Sequence, residues 1–173
     1  MNTSRKLAVA GVSVMVAASA ATSALAQASA TTSATASATV AQPIAVAKTS
    51  DLQFGRVIRP SAGNTTIYAV AASNGAATTS GGDGVFSGAT SPTRAVFSVT
   101  GEGGQAFNIT SDPSVTTGGV TITLVKSGAT GTLDGTVGAI GAATFGVGGN
   151  VTLTDTSPTG VKSGSFNVTV TYQ

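Results

Sequence analysis

The chain has 173 residues, 41% hydrophobic and only 8% charged, with 23 glycines and neither cysteine nor histidine. Without those two side chains there is no disulfide staple, no thiolate or imidazole metal site, and no Ser-His-Asp or Cys-His catalytic group. The formal net charge of +2 comes from Arg5 and Lys6 near the amino end, and the scattered charges elsewhere form no cationic strip that could neutralise phosphates, which argues against nucleic acid as a partner.

The first segment reads MNTSRKLAVAGVSVMVAASAATSALAQ, with Arg5 and Lys6 ahead of an apolar run and small residues around Ala24-Leu25-Ala26. This is the pattern of a secretory signal peptide over residues 1–26, cleaved after the A-x-A site of Ala24 and Ala26, with Ala28 as a second point. Ser13, Ser19, Thr22 and Ser23 dilute the run, so a leader is expected rather than a stable membrane span. Beyond it, Lys48, Arg56, Arg59, Arg94, Lys126 and Lys162 balance Asp51, Asp83, Glu102, Asp112, Asp134 and Asp155. The remaining length suits one domain.

Residues 27–38, QASATTSATASA, hold no charge and no large side chain. They cannot bury enough apolar surface to offset ordering entropy and read as a flexible extension. The domain is expected over residues 39–173. In TVAQPIAVAKT, Val40, Ile44 and Val46 share a face, interrupted by Gln42 and by Pro43, which lacks a donor; such a strand belongs at a sheet edge. Leu52 and Phe54 alternate before Gly55, and RPSAGN makes a loop. TTIYAVAAS then reads as a strand with Ile67 as its largest apolar residue. The stretch SNGAATTSGGDGVFSGATSPT reads as a long surface loop or a loosely held ribbon.

The clearest hairpin is RAVFSVTGEGGQAFNITSDP, where Phe97 and Val99 alternate before a glycine turn and Phe107 and Ile109 after it. GVTITLVKSG supplies Val120, Ile122 and Leu124. AATFGVGGNVTLTDT supplies Phe145 and Val147, then Val151 and Leu153 across Gly148-Gly149. SGSFNVTVTYQ supplies Phe166, Val168, Val170 and Tyr172. Helical spacing is missing beyond the leader, so the expected fold is all-β: a sandwich of about eight to ten short strands.

No motif points to an enzyme, and no cofactor or metal is expected. GEGGQA resembles a phosphate-cradling loop but is followed by a strand rather than a helix, so a hairpin turn is the better reading. GGDGVF is a single copy of a calcium-type repeat whose sites need stacked copies. The six acidic residues are at least ten positions apart in sequence, so none suggests a paired-carboxylate site. Arg56, Arg59 and Arg94 read as exposed loop charges before they read as an anion or glycan site. Four Asn-x-Thr triplets, at Asn64, Asn108, Asn150 and Asn167, are of the kind threonine-rich strands produce by chance.

The carboxyl end carries the most specific likeness. Tyr172 is the penultimate residue and Gly160 the fourteenth from the end, with the apolar alternation between them. This resembles the terminal motif of chaperone-usher pilins. Taken with DLQFG, AVFSVTGEGGQAFNIT, VGGNVTL and SGSFNVTVTYQ, it is similar to the secreted bacterial family known as domain of unknown function 4402, itself similar to spore-coat U and fimbrial subunits. The resemblance covers about residues 39–173. It implies an immunoglobulin-like Greek-key β-sandwich exported by a Gram-negative bacterium to its surface. For the pilin relatives it also implies donor-strand exchange between subunits, with a periplasmic chaperone and an outer-membrane usher as partners. The pilin disulfide is missing here, and Ala34, Ala36 and Ala38 are poor plugs for a hydrophobic groove.

Two functions are therefore expected in order. The first is a non-enzymatic surface structural, fimbria-like or adhesive subunit that pairs strands with copies of itself or related subunits. The second is a self-contained secreted or periplasmic binding module. The residues singled out are Phe166, Val168, Val170 and Tyr172 as the terminal strand and Val40, Ile44 and Val46 as the first or inserting strand. The simpler reading of all seven is as ordinary core positions, because buried alternation is what every sandwich strand shows.

Overall fold

The structure, a computed structural model, describes residues 29–173. The expected signal peptide and its cleavage residues Ala24 and Ala26 lie outside the described residues. Residues 29–38 are exposed and carry no strand. Thr39–Gln173 form one compact unit. Its elements are β1 (Ala45–Ser50), β2 (Val57–Ile58), β3 (Thr65–Val70), β4 (Ala77–Gly81), β5 (Val85–Phe86), β6 (Ala95–Glu102), β7 (Ala106–Ser111), β8 (Ser114–Thr117), β9 (Val120–Lys126), β10 (Thr130–Thr132), β11 (Ile140–Thr154) and β12 (Val168–Tyr172). The described residues are all-β, with no helix. Twelve strands exceed the expected eight to ten because β2, β5 and β10 are only two or three residues long, too short to leave a periodic signal.

All pairings are antiparallel. One sheet runs β1-β6-β11-β3-β4, with β9 also on β11 and β8 on β9; a second runs β10-β7-β12; β2 and β5 form a separate ribbon. Strand β11 organises the first sheet. Its first half, Ile140 to Val147, pairs with β6, and its second half, Gly149 to Thr154, pairs with β3. Odd-numbered side chains point inward along both halves, so one strand contributes to two apolar clusters. The larger cluster joins Ala95, Phe97 and Val99 of β6 and Phe145 and Val147 of β11 to Phe107, Ile109 and Val170 of the second sheet. Phe97 and Phe145, cross-strand partners, stack at 5.3 Å. The smaller cluster holds Tyr68, Val120, Val151 and Leu153, with Phe54, Val57 and Phe86 packed on it.

One expectation is overturned and others are sharpened. The apolar pattern that runs across Gly148-Gly149 belongs to one unbroken strand, β11. Backbone from Val70 to Ala72 crosses that face so closely that a Cβ at Gly148 would overlap the Val70 carbonyl. Strands β6 and β7 are not a hairpin. They lie in different sheets, because the apolar faces on either side of Gly103-Gly104 pack against each other instead of sharing a ladder. In strand β3 the buried side chains are Thr66, Tyr68 and Val70 rather than Ile67, the largest apolar residue of the segment. Ile67 is 40% exposed while Tyr68 is fully buried, its hydroxyl donating to the Ile58 carbonyl. That bond satisfies the one polar atom of the larger ring, and Thr66 beside it accepts from the Gly84 N–H. Finally, of the two readings of residues 73–93, long surface loop or loosely held ribbon, the structure favours the ribbon in part: β4 and β5 are ordered there, each paired to a partner.

Candidate functional site

The strands at the two ends of the domain come together. β1 has β6 as its strand partner and β12 has β7, so each is an edge strand, one in each sheet. They approach where Tyr172 meets Gln42. The Tyr172 hydroxyl donates to the Gln42 carbonyl at 2.7 Å and accepts from the Glu102 backbone N–H at 2.6 Å. The Gln42 N–H in turn donates to Glu102 Oε2 at 2.9 Å, and the Gly138 N–H donates to Oε1. Both backbone groups of Gln42 are thus held by side chains, one from each sheet. Gly101 makes room for this latch, since a Cβ there would overlap the Tyr172 hydroxyl.

Glu102 is only 2% exposed. The N–H donors of Gly138 and Gln42 hold its carboxyl below the usual range, against the opposing effect of burial. A buried carboxylate with two backbone donors is satisfied as an anion and has no proton to give at neutral pH.

From the latch the seam runs along the inner edges of β1 and β12 to a small apolar cleft of about 50 Å³ lined by Leu52, Phe54, Ile122, Leu124 and Phe166 among others. Ile44 is half-buried just ahead of β1, and Val46 is 36% exposed although its register partner Val99 is buried in the core. Lys48 sits opposite Phe97 on the same side and pairs with Asp51 at 2.6 Å. Across the seam, Val170 is buried and Phe166, Val168 and Tyr172 are half-buried. Phe166 meets Phe97 edge-on. The seam therefore brings together six of the seven residues singled out from sequence. Val40 is the exception: at 90% exposed it lies outside β1, which begins only after Pro43. The strand expected to start at Val40 starts at Ala45, and burial on this segment begins with Ile44 just ahead of it.

Sequence reasoning passed over Glu102, Gln42 and Gly138. The one available signal was that Glu102 is the lone glutamate of the chain, set among glycines. The other polar features are structural. Asp83 accepts from the Ser61 N–H at 2.9 Å, the Ser61 hydroxyl at 2.5 Å and Asn64 at 3.3 Å, bonds that hold its carboxyl low. Arg94 donates to the Ala72 and Ser73 carbonyls, and Arg59 to the Ser157 carbonyl at 3.1 Å. An open trough of about 510 Å³ on the outer face of β9 and β11 is lined by Ile67, Thr121, Thr123, Asn150 and Thr152, none of them suited to proton transfer. Among the described residues no group of three or more acidic side chains could hold a metal ion, and no helix is long and apolar enough to cross a membrane.

No curated protein and no solved structure matches the chain. A family model does match, over residues 44–172, from the residue that opens the seam to the tyrosine that latches it. The chain belongs to the family described as a domain of unknown function (DUF4402).

Proposed function

We propose that this protein is an exported, non-enzymatic structural subunit of the bacterial surface. It is fimbria-like or adhesive, is built as an immunoglobulin-like Greek-key sandwich, and works by pairing strands between subunits. The observation that carries this reading is the seam. The first and last strands of the domain are edge strands of opposite sheets, and the apolar side chains between them, Val46 above all, are incompletely covered. An extended segment from a neighbouring chain would find main-chain hydrogen bonds along such an edge and apolar contacts at alternate positions. The likeness of the carboxyl-terminal pattern to pilins supports the same reading, with a periplasmic chaperone and an outer-membrane usher as assembly partners.

Electrophoresis of the purified protein before and after boiling tests it. Heat-resistant multimers are expected, together with loss of stability when residues 27–47 are deleted and recovery when that peptide is supplied in trans. A monomer under all conditions overturns it.

A second reading is favoured by a different observation. β1 pairs with β6 of its own domain from Ala45↔Thr100 to Ser50↔Val96, and Gln42 is clamped at both backbone groups. A domain tied at both ends in this way is a self-contained monomeric binding module, and it predicts a compact monomer whose terminal strands both resist amide exchange.

A further inference from the structure

We infer that the free edge of β4 pairs antiparallel with the β4 edge of a second copy of this chain. This contact is separate from the seam and holds whichever reading of the seam is correct.

Open edges invite pairing, and proteins usually blunt them with charge, proline, bulges or covering segments. Each of the other edges of the two larger sheets carries at least one such feature, without being closed to a partner by it. β1 carries Lys48 on its core side and a register break between Lys48 and Ser50. β8 is met on its flank by the segment after Gly160, where Thr117 Oγ donates to the Ser163 carbonyl at 2.7 Å. β10 is three residues long, and β12 closes onto Gln42 through Tyr172. Strand β4, with sequence ATTSG, has none of these devices. All five of its residues are exposed, it pairs with β3 without a register break, and it holds no charge and no proline.

The hydrogen-bond parity of this edge is self-complementary. The Ala71 N–H donates to the Ala76 carbonyl at 2.8 Å, so in this register Ala76, Thr78 and Ser80 direct their backbone groups at β3. By the alternation of antiparallel ladders, Ala77, Thr79 and Gly81 direct theirs outward. A two-fold axis through Thr79 then sets Thr79 opposite its own copy and Ala77 opposite Gly81 at either side, allowing about four main-chain hydrogen bonds, since the φ of 73° at Gly81 turns its carbonyl off the ladder.

Five residues a side is a small contact, below the roughly 1,200–2,000 Å² of stable complexes, so the dimer is weak and concentration-dependent. Sedimentation of the purified protein up to the order of 1 mM tests it, alongside two variants. Thr79→Pro removes an N–H that points to solvent and not to β3, so it leaves the fold in place and is expected to abolish association. Thr79→Cys introduces the one cysteine of the chain at the axis, where paired Cα atoms are about 5.5 Å apart and within disulfide reach. It is expected to form a disulfide dimer at least ten times faster than a cysteine at the exposed face position Thr152. Equal cross-linking rates at the two positions overturn the inference, as does association of the Thr79→Pro variant at wild-type strength.

Discussion

Replacing Tyr172 by phenylalanine removes one oxygen from the latch and leaves the ring. Two bonds go with it. The Gln42 carbonyl is exposed and recovers its partner from water. The Glu102 N–H sits in a residue only 2% exposed, and its partner is the lost hydroxyl. An orphaned buried donor costs about 1–3 kcal/mol, more than the net worth of an ordinary hydrogen bond. For a domain of this size each kcal/mol is worth about 4 °C, so the variant should melt roughly 4–12 °C below the wild type, with the urea m-value unchanged. The loss should also be local in the native state. The amides of residues 42–48 should exchange faster, while Phe97 and Val99 on β6 keep their protection. A melting temperature within about 1 °C of wild type, together with unchanged exchange at Gln42, would show that the hydroxyl does not hold the first strand and would remove the latch from the account.

Other consequences are open to direct measurement. The Glu102 carboxyl titrates below its ordinary value in the folded state. Its contribution is therefore complete above the unfolded value of about 4.3 and is lost as pH falls through the lower folded value. Thermal melts from neutral to acidic pH should accordingly show a shallower acid decline for Glu102→Gln than for wild type, and an unchanged slope would remove Glu102 from that balance. Gly148→Ala forces a methyl against the Val70 carbonyl and should cost about 1–3 kcal/mol or more in urea denaturation, whereas Gly138→Ala, with open space around its Cβ position, is burdened only by its positive φ of 91° and should cost less. Phe107→Ala, at a site 1% exposed in the larger cluster, should cost about 3–5 kcal/mol, and a loss below 1 kcal/mol would mean that the two sheets do not pack through it.

Strand identity was legible wherever one face is buried along several residues. Phe97 with Val99, Phe107 with Ile109, Val120 to Leu124 and Val168 to Tyr172 all fall on the inward faces that period-two alternation indicates. It was least legible where the burial is unusual. β4 is exposed at every position, so no alternation marks it. Tyr68 outranks Ile67 in the core because a carbonyl waits for its hydroxyl, and that carbonyl is ten residues away in sequence. Val40 carries an apolar side chain with nothing folded over it. Gln42 and Glu102 were invisible as a pair because their contact spans 60 positions.

The order of residues alone determined that the domain is made of strands, that it holds neither cysteine nor histidine, and that its terminal segment is patterned for burial. Those are properties of local periodicity and composition, and they need no knowledge of neighbours. Only the tertiary structure decided that β6 and β7 part into different sheets, that β11 runs unbroken past two glycines, and that the two ends of the domain meet at Tyr172. Each of these depends on which backbone passes close to which. A glycine that permits a turn and a glycine that permits a crossing strand are written with the same letter.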